Sequence, residues 1–153
     1  MDPTKPVTFA SCKHFSDICL DLADIVSSNI YPKWYRETSA KDFLSDCIDY
    51  IKNHGGENKP IIISEIGAGA IYGYRTNIRC KWSEEGQVDM LEEQISTVLN
   101  NTDCNGVIIW QFADCRVDNG WALTRPKTQN NKGVVDMYRR EKLAYEKVKE
   151  LFK

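Results

Sequence analysis

The chain has 153 residues and 17.6 kDa, with 20 basic against 22 acidic residues and a net charge of −2, so no basic footprint points to nucleic acid. With 42% hydrophobic and 27% charged residues, and four Trp, seven Tyr and five Phe for a core, it has the composition of one folded domain over residues 1–153. No apolar run approaches the ~18–20 residues a bilayer span needs, and MDPTKPVTF lacks the basic start and apolar stretch of a secretory signal.

PVTFAS (6–11) is short, β-branched and opened by Pro, and predicts a first strand. SDICLDLAD (16–24) places Ile18, Cys19, Leu22 and Ala23 at helical spacing, and IVSSNIYP (25–32) is strand-like up to its Pro. SAKDFLSDCIDYIKNHGG (39–56) carries Phe43, Leu44, Cys47, Ile48 and Ile51 on one stripe of period 3.6, with Ser39 as N-cap and Gly55 as stop. PIIISEIG (60–67) is a continuous apolar run, the pattern of a strand buried on both faces. After an irregular stretch (68–82), Ser83 can cap a helix from about Glu84 to Asn100 whose inner face is Val88, Leu91, Ile95 and Leu99, with Glu84 and Glu85 at its positive end. GVIIWQFAD (106–114) is the fourth strand, 115–137 is loop-rich, and a last helix carries Leu143, Tyr145, Val148 and Leu151.

Alternating buried strands and helices predict an α/β fold with a parallel sheet. A whole (β/α)8 barrel needs about 250 residues, or about 31 per unit. By that measure the chain is half of a TIM barrel, with four parallel strands and their helices. Polar and aromatic residues gather at the C-terminal strand ends: Asn29 and Tyr31, then Glu65, then Trp110 and Asp114. That edge is where binding and chemistry sit in parallel α/β folds.

Glu65 ends a very apolar strand, where an unpaired carboxylate costs several kcal/mol. It is either functional or satisfied by backbone amides of the Gly-rich turn after it. Asn29, Tyr31, Trp34 and Tyr35, in NIYPKWY, offer the ring faces, hydroxyls and amide that suit a sugar, or else form an aromatic cluster under a loop. Trp110 suits a site or a core, and RPKTQNNKG (125–133) has the composition of a solvated turn. His14 follows the first strand and could line a site, whereas His54 suits a helix C-terminus. Neither has neighbours at metal-ligand spacing. The six cysteines fit no zinc pattern, and most lie in or beside apolar segments, as expected of reduced structural thiols in a cytoplasmic protein.

PIIISEIGAG, NIYPKWY, GVIIWQFAD and NNKG, in this order and spacing, resemble the C-terminal half of the catalytic barrel of glycoside hydrolase family 2, in particular its β-glucuronidase and β-galactosidase group. The resemblance covers nearly the whole chain and makes its strands the fifth to eighth of the barrel. It implies Glu65 as catalytic nucleophile, Trp110 as the floor of the sugar site, and Asn29, Tyr31, Trp34 and Tyr35 as substrate-facing. The Asn-x-Lys pair that binds the sugar carboxylate in β-glucuronidases corresponds to Asn130 and Lys132. An ammonium and an amide select an anionic group over a hydroxymethyl.

One departure matters more. Retaining glycosidases need two carboxyl groups about 5–5.5 Å apart, and the family's acid/base, a Glu in an Asn-Glu pair after the fourth strand, has no counterpart here. The expectation is therefore a fragment of a retaining β-glycosidase, acting on terminal β-glucuronides, that is inactive alone and lacks the N-terminal half of its barrel. No metal or cofactor is expected, since the two-carboxylate mechanism needs none. Two alternatives stand beside it: a neutral-sugar enzyme such as a β-galactosidase, and a non-catalytic half-barrel acting in assembly or carbohydrate binding. Open strand edges would favour self-association of such a half-barrel.

Overall fold

A computed structural model describes residues 4–118, 120 and 124–153 of the chain, which form two compact units. Among the described residues, the first comprises those up to 66 and 94–108, and the second 67–93 and those from 109 onward.

The first unit, with Ile109 added, holds a four-stranded sheet in chain order: β1 (Ala10–Ser11), β2 (Val26–Asn29), β3 (Ile61–Ile66) and β4 (Cys104–Ile109). β2 lies parallel to both β1 and β3, in the order expected for consecutive units of a (β/α) barrel. Helix α1 (Ala40–Asn53) connects β2 to β3, and its predicted stripe is buried in full, Phe43, Leu44, Cys47, Ile48 and Ile51 each being at most 4% exposed. Each large member of that stripe contributes roughly 1.5–3 kcal/mol by leaving water. The Cys47 thiol donates to Ser28 Oγ at 3.5 Å, which places α1 on β2. Ser39 caps the helix by accepting from Asp42 N at 3.1 Å. Gly55, with φ +95°, stops it, since the left-handed region is open to glycine.

Three expected elements are smaller or shifted. The strand expected over 6–11 is paired only at Ala10–Ser11. The helix expected over 16–24 is a single 3₁₀ turn, Leu20–Leu22, with Ile18 88% and Leu22 72% exposed. Asp17 accounts for this: its Oδ1 accepts from Cys19 N at 2.8 Å and its other oxygen from the Ser11 hydroxyl, a local turn that competes with helix. The fourth strand runs over Cys104–Ile109, ending just before Trp110. β3 is also not sealed on both faces, because Ile61, Ile63 and Ile66 are buried while Ile62, Ser64 and Glu65 are partly open.

Helix α2 (Glu84–Leu99) begins in the second unit. Ser83 caps it, accepting from Gly86 N at 3.0 Å. Its buried stripe is Leu91, Ile95 and Val98, so Leu99, one residue further round, is 48% exposed and not on the inner face. The 115–137 stretch contains a short antiparallel ladder, β5 (Cys115–Arg116) with β6 (Gln129–Asn130). Helix α3 (Leu143–Leu151) closes the chain, and Glu84 Oε2 accepts from its first amide, Leu143 N, at 2.8 Å. Among the described residues no helix is long and apolar enough to cross a membrane.

Candidate active site

The end of β3 is shaped by a bulge. Ser28 pairs with Ile63 and Asn29 with Glu65, so Ser64 is passed over and the register shifts by one residue. Bulges of this kind re-aim a side chain at the end of a ladder. Here the bulge sets Asn29 opposite Glu65, with Ser64 Oγ donating to Asn29 Oδ1 at 2.8 Å and Ile30 N to the Glu65 carbonyl at 2.7 Å. The Tyr31 hydroxyl then donates to Glu65 Oε2 at 2.5 Å. Among the described residues the Glu65 carboxylate is thus met by a tyrosine, not by amides of the following turn. A hydroxyl donating to a carboxylate makes a charge-assisted hydrogen bond, stronger than one between neutral groups.

The NIYPKWY segment holds Tyr31 in place. Trp34 N and Tyr35 N donate to the Tyr31 carbonyl at 3.3 and 3.2 Å, and Gln94 Nε2 donates to the Pro32 carbonyl at 2.7 Å. Tyr31 and Tyr35 meet edge to face, with centroids 5.4 Å apart. Tyr35 is 61% exposed but Trp34 only 4%, so Trp34 serves as the loop's buried anchor and Tyr35 supplies its open ring.

In the second unit Trp110 follows β4 and is 41% exposed, with a cis peptide bond to Gln111. Gln111 N donates to the Lys132 carbonyl at 3.2 Å, and Val134 N to the Gln111 carbonyl at 3.2 Å, so the Trp110 segment and the NNKG segment run together. Asn130 Oδ1 accepts from Lys132 N at 3.3 Å. Asn131 is buried, its amide donating to the carbonyls of Pro126 and Gln129 at 2.8 and 3.0 Å, and Lys132 is 3% exposed. The expected solvated turn over 125–133 is therefore packed at its Asn131–Gly133 end. Gly133 has no room for a side chain, because a Cβ there would lie 2.2 Å from Asp114 N.

Two residues that sequence reasoning missed hold this region. The Lys142 ammonium, wholly buried, donates to the Ala70 carbonyl at 2.7 Å, Asp114 Oδ1 at 2.8 Å and the Asn131 carbonyl at 3.1 Å. Buried Gln87 donates to the carbonyls of Ala68 and Gly133 at 2.8 and 3.1 Å. Burial pushes the Asp114 carboxyl up and the Lys142 ammonium down from their ordinary ranges, each opposed by attraction to the other. Asp114 is thus tied to a structural ion pair. The available signal was Asp114 itself, an acid closing an apolar strand, which demands a partner cation somewhere in the chain.

The two histidines have packing contacts of their own. His14 packs edge to face on Phe43 at 5.5 Å, and burial, with Arg36 nearby, lowers its proton affinity. His54 stacks on Tyr50 at the end of α1, its Nδ1 donating to the Tyr50 carbonyl at 2.8 Å. All six cysteines are unpaired, and only Cys47 is buried. Burial raises the Cys47 thiol and pushes Cys104 up to about 11, far from a nucleophilic thiolate. Among the described residues no three His, Cys, Asp or Glu side chains gather as a metal site would require.

Comparison with known proteins agrees with this layout. The model of the glycosyl hydrolases family 2 TIM barrel domain matches residues 1–152. The β-glucuronidase of Sus scrofa is 29% identical over 150 residues, covering 94% of this chain and 22% of that enzyme. That of Mus musculus is 34% identical over 122 residues, covering 74% and 18%. Among solved structures, a family 2 β-galacturonidase from Eisenbergiella tayi bound to galacturonate superposes with a TM-score of 0.96 at 53% identity, covering 99% of this chain and 27% of its own. A Ruminococcus gnavus β-glucuronidase in complex with an N1-substituted uronic isofagomine gives 0.83 at 27% identity, covering 98% and 26%. The chain therefore spans 22% of the first of these curated relatives and 27% of the first of these solved chains. Alternating strands and helices, a carboxylate ending β3 and a match over residues 1–152 lead to one conclusion: the chain belongs to glycosyl hydrolase family 2 and forms part of its TIM barrel domain.

Proposed function

We propose that this chain supplies the nucleophile and the carboxylate-recognising loop of a retaining β-uronidase. The observation that carries the proposal is the Tyr31 hydroxyl bonded to Glu65 Oε2 at the bulged end of β3. In the reaction, one Glu65 oxygen attacks the anomeric carbon and the aglycone oxygen departs, taking a proton from an acid outside this chain. Water, deprotonated by that same group, then releases the sugar from the glycosyl-enzyme ester. The Tyr31 hydrogen bond orients the attacking carboxylate in the first step and steadies it as a leaving group in the second. Trp110 and Tyr35 supply ring faces for the C–H surface of the sugar. Asn130 and Lys132 hold the sugar carboxylate, and the burial of Lys132 strengthens that attraction because little water screens it.

The uronide class draws support from the Asn130–Lys132 pair and from relatives that are themselves glucuronidases and a galacturonidase. Within the class, 53% identity to the galacturonidase, against 29% and 34% to the two mammalian glucuronidases, favours a β-galacturonide, with a β-glucuronide as the second reading.

The test is an exchange enzyme: the Eisenbergiella tayi galacturonidase with its matching segment replaced by this whole chain. It should hydrolyse aryl β-uronides, and a 2-fluoro-uronosyl fluoride should label the peptide bearing Glu65, as seen by mass spectrometry. Label on another carboxylate, or unchanged turnover by Glu65→Gln, would reject Glu65 as nucleophile. The 153-residue chain alone should show no turnover, because it presents only one of the two carboxyl groups.

A further inference from the structure

We propose that Lys142, together with Asp114 and Gln87, positions the carboxylate-recognising loop and thereby sets the preference for uronides over neutral sugars. The proposal rests on the uronide reading above.

An ammonium has three donors, and Lys142 uses them on the carbonyl of Ala70, the carboxylate of Asp114 and the carbonyl of Asn131. Asn131 lies between the two residues assigned to the sugar carboxylate. Asp114 Oδ1 also accepts from Gly133 N at 2.9 Å, and Gln87 donates to the Gly133 carbonyl at 3.1 Å. The backbone is therefore gripped on both sides of Lys132, at 131 and at 133, by side chains that are all buried. Asn131 O accepts a further bond from Ala70 N at 2.9 Å, which ties the loop to the segment following β3.

A buried ion pair is by itself weak evidence of a stabilising role. Replacing a buried ion pair by apolar groups of like volume is often neutral or stabilising, whereas fixing one register among several is the best-attested use of buried charge. Here the register so fixed is that of Lys132. A displacement of about 1 Å at a recognising group costs on the order of 10²-fold in rate, so loosening this brace should be read directly in substrate preference.

The experiment uses the exchange enzyme carrying Lys142→Met, Asp114→Asn or the apolar pair Lys142→Met/Asp114→Leu. Values of kcat and KM are measured for 4-nitrophenyl β-galacturonide and 4-nitrophenyl β-galactoside, on protein whose circular dichroism matches the parent. The expected result is a 10- to 100-fold fall, on the order set by loop displacement, in the uronide-to-galactoside ratio of kcat/KM, carried mostly by the KM of the uronide. A purely structural role would depress both substrates together and leave the ratio unchanged, and that result overturns the proposal. Lys132→Ala runs in parallel. If it leaves the ratio unmoved, the uronide reading itself fails. If it collapses the ratio while the Lys142 and Asp114 variants do not, the positioning role alone fails. Should Lys142→Met not fold, Asp114→Asn keeps the ammonium on its two carbonyls and carries the same readout.

Discussion

Removing the Lys142 cation leaves a carboxylate alone in the interior, and the effect on folding can be bounded. Lys142→Met keeps most of the side-chain length but withdraws the ammonium from Asp114, Ala70 and Asn131. The Asp114 side chain is 2% exposed, so water cannot replace the lost partner. Breaking one member of a buried pair costs about 3–5 kcal/mol, a large share of the roughly 5–15 kcal/mol that holds a domain folded. The loss at Asn131 is milder, because its carbonyl keeps the bond from Ala70 N. The loss should also depend on pH. Burial already raises the Asp114 carboxyl, and attraction to Lys142 is what chiefly opposes that rise. Without the lysine the carboxyl rises further, so the folded variant binds this proton more tightly than the unfolded chain does. The stability deficit then grows as pH rises through that range and fades as pH falls. Urea unfolding of the 153-residue chain and its Lys142→Met variant at pH 7 and pH 5, with equal slopes as the check on comparability, reads the effect. The expected deficit is about 3–5 kcal/mol at pH 7 and smaller at pH 5. A deficit below about 1 kcal/mol at pH 7, or one that grows on acidification, would show that Asp114 does not depend on Lys142 for its burial.

Three further outcomes follow from single contacts. Tyr31→Phe in the exchange enzyme removes a hydrogen bond to a charged group worth about 1.5–3 kcal/mol, so kcat for a uronide should fall roughly 10- to 100-fold with the fold intact; an unchanged kcat would separate Tyr31 from the nucleophile. Ser39→Ala removes the cap on Asp42 N and should lower stability by about 1 kcal/mol, read as a shifted urea midpoint, with faster amide exchange confined to the first turn of α1. Gly133→Ala would drive a Cβ to 2.2 Å from Asp114 N and 2.4 Å from the Val135 carbonyl, both backbone atoms, so a lower melting temperature and lost uronide turnover are expected; an unchanged melting temperature would mean the loop has room to give.

Much of the fold can be read in the sequence because its signals are periodic and dense. The α1 stripe, the Ser39 cap and the Ile61–Ile66 strand each follow from local pattern, and each stands where expected. Short elements were less legible. Ile18, Cys19, Leu22 and Ala23 have helical spacing, yet Asp17 and Ser11 draw the backbone into a turn, and no periodicity reports such competition. The candidate site was legible where residue type at a strand end marks it: Glu65 and Tyr31, both singled out there, meet in the structure. The bulge that sets Asn29 against Glu65 is a matter of pairing register and leaves no local trace in the sequence. Lys142 was hidden for a related reason. It stands among the charged residues of RREK, on the polar approach to a helix, and only tertiary contact distinguishes it from its solvated neighbours.

Asp114 and Glu65 show how placement decides the role of a carboxylate. Glu65 ends the apolar strand β3, whereas Asp114 lies beyond β4, which stops at Ile109, although the sequence shows each as an acid after an apolar run. Asp114 accepts from Lys142 and from Gly133 N and is closed to solvent, so a proton cycling on and off it would break the contacts that hold the NNKG segment. Glu65 is only partly buried and is bonded to a neutral hydroxyl, which can follow the carboxylate from free anion to glycosyl ester and back without leaving a buried charge unpaired. The first arrangement suits a brace, and the second, on the proposed function, a group that reacts. Hydrolysis needs a proton donor as well as a nucleophile. On the proposed function that donor is a carboxyl group other than Asp114, which is committed to Lys142.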